Sequence, residues 1–84
     1  MVNVERLGGK RVLITGGAGL IGSHVADLLA AANVSEILVF DNLSRGSLEN
    51  LAQARTSGRL TFVEGDIRDR AAISRALEGI DVLF

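Results

Sequence analysis

Cysteine and proline are absent from this chain, lysine and histidine each occur once, and neither sign of charge dominates. Without cysteine there are no disulfides and no thiolate metal sites, which fits a cytoplasmic protein. The net charge of −1 gives no bulk electrostatic pull toward nucleic acid or a membrane surface. The longest apolar runs fall far short of the roughly 20 residues needed to span a bilayer. The N-terminus, Met1-Val2-Asn3-Val4-Glu5, lacks the basic stretch leading into an apolar core that marks a signal peptide. Low-complexity stretches and internal repeats are missing too.

What is present is globular. Apolar residues make up 48% and charged residues 23% of the 84 positions, enough apolar surface to offset the entropy of ordering. The length allows one small domain with one modest core.

The chain alternates short apolar runs with helical patterns. Arg11-Val12-Leu13-Ile14-Thr15 is β-branched, apolar and ended by glycines, as a buried parallel strand is. Ile21, Val25, Leu28, Leu29 and Ala32 then recur at helical spacing, and Asn33 can end that helix in the left-handed conformation. Glu36-Ile37-Leu38-Val39-Phe40 predicts a second strand, closed by Asp41-Asn42. After a polar loop, Ser47 can cap a short helix carrying Leu48, Leu51 and Ala52 on one face, ended by Gly58. Leu60-Thr61-Phe62-Val63-Glu64 predicts a third strand. Asp69 is a suitable N-cap for a helix through Glu78, with Ala72, Ile73, Ala76 and Leu77 inward and Gly79 as its stop. Ile80-Asp81-Val82-Leu83-Phe84 begins a fourth strand. Strands alternating with helices imply an α/β fold with a parallel sheet and right-handed crossovers. With a glycine-rich first turn, a Rossmann-type strand order of 3-2-1-4 is expected. A full doubly wound sheet needs about two more strands, so residues 1–84 read as the N-terminal part of a dinucleotide-binding domain, truncated within its sheet. The fourth strand would leave an apolar edge open to self-association.

Two glycine patterns overlap after the first strand. Gly16, Gly19 and Gly22 form one, and Gly17, Gly19 and Gly22 form G-x-G-x-x-G. Both serve a sharp turn, close approach of backbone to a pyrophosphate, and tight packing of helix on strand. The helix N-terminus then offers free N–H groups and partial positive charge to phosphates. An ordinary glycine-rich βα turn is the alternative, and the strand before and amphipathic helix after weigh against it. A P-loop is excluded, because no Gly-Lys-Ser/Thr follows.

Asp41 lies 19 positions after Gly22, directly after the second strand. There a carboxylate can accept hydrogen bonds from the adenosine ribose hydroxyls and repel a 2′-phosphate, which favours NAD over NADP. Arg45 is the opposing signal, since an arginine can accommodate that phosphate. The alternative for Asp41 is a turn-forming residue at a strand end. Asp66 follows the third strand in the same way and can accept from the adenine amino group or serve only the turn after Gly65.

Three segments carry a resemblance: Ile14-Thr15-Gly16-Gly17-Ala18-Gly19-Leu20-Ile21-Gly22-Ser23-His24, Asp41-Asn42-Leu43-Ser44-Arg45-Gly46, and Glu64-Gly65-Asp66-Ile67-Arg68-Asp69. In order and spacing the chain resembles the extended short-chain dehydrogenase/reductase family, most closely its NAD-dependent nucleotide-sugar epimerases and dehydratases of the UDP-glucose 4-epimerase type. The resemblance implies that Gly16, Gly19, Leu20, Ile21 and Gly22 line the pyrophosphate. It implies that Asp41 and Asn42 hold the ribose with Ser44 and Arg45 close by, and that Asp66 and Ile67 touch adenine. It also implies a nucleotide-sugar substrate for a full-length parent.

Such enzymes use a Tyr-x-x-x-Lys pair, the tyrosine acting as acid/base with its pKa lowered by the lysine and cofactor. This chain has no tyrosine, and its one lysine, Lys10, precedes the first strand. No catalytic or metal residue is therefore assigned, the chain alone is expected to be inactive, and it corresponds to roughly the first quarter to third of a family member. His24 lacks partner ligands and reads as structural, Asp66 and Asp69 as turn and cap, and Arg68, Arg70 and Arg75 as a solvated face. A non-catalytic nucleotide-binding module or a self-associating Rossmann fragment is the alternative function.

Overall fold

A computed structural model describes residues 7–84; the reading of Met1–Glu5 lies outside them. The elements run β1 (Arg11–Thr15), α1 (Leu20–Ala31), β2 (Glu36–Asp41), a 3-10 turn (Leu48–Leu51) continuing into α2 (Ala52–Arg55), β3 (Leu60–Glu64), α3 (Arg70–Leu77) and β4 (Val82–Leu83). The four strands are parallel in the order β3-β2-β1-β4. This is the expected topology.

The strands are apolar on both faces, because helices cover both. Alternation along each strand divides the side chains between two cores. Val12, Ile14, Ile37 and Val39 face α1 and α2 and pack with Ala26, Leu29, Leu51 and Ala54. Leu13, Leu38 and Phe40 face the other way, toward Ala76, Ala72, Ile73 and Ile80. Full burial of a side chain such as Leu29 stabilises by about 1.5–3 kcal/mol.

The stops act as their chemistry suggests. Asn33 adopts φ 59°, and Gly58 and Gly79 adopt φ 74° and 72°. Ser47 accepts from the Glu49 N–H, and the Asp69 carboxylate accepts from the Ala72 N–H at 3.2 Å. Arg11 ties the near end of the sheet together, pairing with Glu36 at 2.9 Å and donating to the Gly79 carbonyl.

Several side chains differ from expectation. On α1 the buried residues are Ser23, Ala26 and Leu29, whereas Leu28 is 45% and Ile21 84% exposed. The small residues let α1 lie close on the sheet, which rotates the apolar stripe and turns Ile21 outward beside the glycine turn. In the short second helix the buried pair is Leu51 and Ala54, three positions apart, while Ala52 lies off that face and Leu48 sits at the exposed start of the helix between Ser47 and Glu49. Leu77 is mostly outside the α3 core. Strand β2 runs one residue further, through Asp41, while β4 spans only Val82–Leu83, with Asp81 and Phe84 on either side also hydrogen-bonded to β1. No helix among the described residues is long and apolar enough to cross a membrane.

Candidate functional site

The site gathers at the carboxyl ends of β1, β2 and β3, where open parallel sheets bind ligands. The chain leaves β1 at Gly16 with φ 67°, a conformation that favours glycine. The Gly16 N–H donates to the Phe40 carbonyl at 2.9 Å, and the Gly19 N–H donates to the Gly16 carbonyl at 3.1 Å. The turn thus folds back on itself before α1 begins.

The glycines divide by what surrounds them. A β-carbon on Gly22 would lie 2.4 Å from the Gly16 carbonyl oxygen and 2.7 Å from the Gly17 α-carbon, so Gly22 permits the first turn of α1 to pack directly on the backbone of the glycine turn. One on Gly17 would strike Val39 at 2.6 Å. On Gly19 it would meet only the Gly16 carbonyl, at 3.4 Å. Packing therefore explains Gly17 and Gly22, and leaves Gly19 room for a β-carbon in ordinary contact.

Gly19 is the N-cap of α1, with no side-chain cap and no acidic residue in the first turn. The opening N–H groups of a helix have no intrahelical partner, and they carry the positive end of its dipole. Leu20 and Ile21, 82% and 84% exposed, begin the helix here. The uncapped end fits an anionic group such as a pyrophosphate.

Asp41 ends β2 and is only 8% exposed. One carboxylate oxygen accepts the Ala18 N–H at 2.9 Å, and the other accepts the Leu43 N–H at 2.8 Å. The latter bond holds Leu43 at φ 62°, an uncommon conformation for leucine. Each oxygen keeps a further lone pair for another donor. Beside it, the Asn42 side-chain oxygen accepts from the Ser44 N–H at 3.0 Å.

A pocket of about 130 Å³ opens between these strand ends, lined by Gly16, Phe40, Asp41, Asn42, Gly65 and Ile67. Four residues singled out in the sequence therefore meet in one depression. Gly65 lies against the end of the Phe40 ring, where a β-carbon would stand 2.5 Å from Cζ. Ser44 and Arg45 are exposed in the following loop and line no part of this pocket. Asp66 also stays off its wall, because it is bound to Arg68. Its carboxylate accepts from Arg68 Nη2 at 2.6 Å, from Nε at 3.1 Å, and from the Arg68 N–H at 2.9 Å. The Arg68 guanidinium bond, then that backbone bond, hold the Asp66 carboxyl down at about 2. Arg68 lies on the exposed face with Arg70 and Arg75, as expected, and is in addition the ion-pair partner of Asp66.

Sequence reasoning missed three contributors. Phe40 and Gly65 form the apolar floor, and a glycine directly after a strand was the available signal. Asn50 donates to the Ala18 carbonyl at 2.8 Å from 32 positions away, and no local pattern marks such a contact.

Comparison with known proteins agrees with this geometry. The model of the NAD-dependent epimerase/dehydratase family matches residues 12–84. A CDP-paratose 2-epimerase of Salmonella typhi is 40% identical over 68 residues, covering 80% of this chain and 20% of that protein. A UDP-glucose 4-epimerase of Bacillus subtilis is 47% identical over 64 residues, covering 74% of this chain and 19% of its own length. Among solved structures, an epimerase of Methanothermobacter thermautotrophicus superposes with a TM-score of 0.84 at 35% identity, over 96% of this chain and 23% of that one. The Bordetella bronchiseptica enzyme WbmF, solved in complex with NAD+ and UDP, gives 0.84 at 28% identity, over 98% of this chain and 24% of that one. The chain thus spans about a fifth to a quarter of the length of these relatives.

Proposed function

The chain belongs to the NAD-dependent epimerase/dehydratase family, and from that premise we propose that it binds NAD as the adenosine and pyrophosphate half of an epimerase or dehydratase acting on a nucleotide sugar. The observation that carries this reading is the meeting of Asp41, Asn42, Gly16 and Ile67 around one pocket, beside the uncapped start of α1. In this assignment the N–H groups around Gly19, Leu20, Ile21 and Gly22 hold the pyrophosphate, with Gly16 giving it room. Asp41 accepts from the ribose hydroxyls through its remaining lone pairs, with Asn42 at its side and Ser44 and Arg45 on the rim. Ile67 covers the adenine, and Asp66 reaches its amino group only by sharing its carboxylate with Arg68. The near-buried charge of Asp41 opposes a 2′-phosphate, which favours NAD over NADP.

Residues 1–84 form, on this reading, the N-terminal part of a dinucleotide-binding domain. When bound, NAD supplies a reversible hydride acceptor. The 84 residues contain no tyrosine, so the acid/base work of a Tyr-x-x-x-Lys pair falls to sequence outside them, and the chain alone is expected to show no turnover. Titrating isotope-labelled chain with NAD should shift the amide signals of Gly16, Gly19, Leu20, Asn42 and Ile67 together. Shifts confined to the α2 side, or none at saturating NAD, would remove the assignment. A second reading, a non-catalytic nucleotide-binding module that self-associates, draws on the outer edge of β4, where Leu83 is 56% exposed. Sedimentation of the isolated chain as a clean monomer contradicts it.

A further inference from the structure

The peptide between Ala18 and Gly19 is gripped from the far side by the connection that follows β2. The Ala18 carbonyl accepts the Asn50 side-chain amide at 2.8 Å and the Ser47 N–H at 3.1 Å. Gly46 presses on the same peptide: a β-carbon there would stand 2.5 Å from the Ala18 carbonyl carbon and oxygen and 2.8 Å from the Gly19 nitrogen. One step earlier, the Ala18 N–H is bound by Asp41 at 2.9 Å. Two consecutive peptides of the glycine turn are thus fixed by residues 41–50.

We propose that Asn50, with Gly46 and Ser47, is a positioning device that sets the orientation of the pyrophosphate-binding turn. This rests on the NAD reading above and adds a residue and a role to it. The Ala18–Gly19 peptide leads into Gly19, the N-cap of α1. Its tilt sets the backbone of Gly19, at φ −74° and ψ 175°, and so the direction in which the Leu20 and Ile21 N–H groups point. Hydrogen bonds between backbone and a half-buried amide hold that tilt without adding a side chain on the open face. Asp41 holds the preceding peptide and the Leu43 N–H by bonds of its own, so the ribose subsite keeps its support when the Asn50 bond is lost.

The test compares the unaltered chain with Asn50→Ala and Asn50→Asp, the second matching the asparagine in shape while removing its donor. Calorimetry with ADP-ribose should show Kd rising about fivefold in both variants, the size expected from one lost hydrogen bond. Adenosine, which carries no phosphate, should bind within about twofold of the unaltered chain, a selectivity that general loosening of the fold does not produce. Amide exchange at Ala18 and Gly19 should accelerate while the β1–β2 ladder stays protected. Unchanged ADP-ribose affinity with unchanged exchange at Gly19 overturns the proposal, as does equal weakening of both ligands. An unaltered chain that binds neither ligand defeats the NAD reading, and the exchange measurement still decides the role of Asn50.

Discussion

The carboxylate of Asp41 accepts the Ala18 N–H at 2.9 Å, so the acid at the end of β2 and the glycine turn after β1 are parts of one structure. Asp41 is buried and binds the Leu43 N–H with its other oxygen. It therefore builds the site as well as offering acceptors to a ligand.

Replacing Asp41 with Asn exchanges one acceptor for a donor, and one of the two N–H groups then faces another donor. A buried N–H left without a partner costs about 1–3 kcal/mol. We expect Asp41→Asn to lose stability in that range by denaturant unfolding, in the absence of any nucleotide. Unfolding at the original midpoint would show that Asp41 serves ligand alone.

Gly22 and Gly19 should respond differently to the same added methyl group. In Gly22→Ala the new atom meets backbone at 2.4 Å and 2.7 Å. Backbone cannot step aside cheaply, so a loss of about 1–3 kcal/mol or more is expected. In Gly19→Ala the nearest atom is at 3.4 Å, and the cost should stay at about 1 kcal/mol or less, that of a poorer N-cap. Its effect should appear instead as weaker ADP-ribose binding, because the methyl group occupies the face toward the phosphates. Equal stabilities for the two variants would contradict this division.

Arg68 holds the Asp66 carboxyl at about 2, against an ordinary value of 3.8. The folded-state value lies below the unfolded one, so the pair contributes fully above pH 3.8 and its contribution fades as pH falls through about 2. Carbon-detected NMR titration should place the Asp66 midpoint near the lower value. Arg68→Ala should move it up toward 3.8. A midpoint already at 3.8 in the unaltered chain would show that the ion pair does not form in solution.

Much of this architecture was legible in the residues themselves. Strands β1 and β3 fall where β-branched and apolar runs end in glycine or polar stops, since such runs suit a sheet covered on both faces. Asn33, Gly58 and Gly79 mark helix ends because few residues accept positive φ. The orientation of α1 was less legible. Periodicity counts large apolar residues, whereas close packing is set by the small ones, Ser23 and Ala26, so Ile21 and Leu28 share the helical spacing of the apolar stripe and yet lie exposed. In the site, Gly16 and Asp41 follow from the glycine turn and from spacing, whereas Asn42 and Ile67 are marked only by the family resemblance. The bond from Asn50 to Ala18 and the capture of Asp66 by Arg68 depend on loop geometry that spacing does not carry.

The central claim is that the turn at Gly16 to Gly22, together with Asp41, holds NAD. Calorimetric titration of the 84-residue chain with NAD and with NADP tests it most directly. The account predicts one NAD per chain and NADP binding weaker by at least about tenfold, a difference of about 1.4 kcal/mol set against the 2′-phosphate by the Asp41 carboxylate. No heat of binding with NAD, or NADP binding as tightly as NAD, would contradict it.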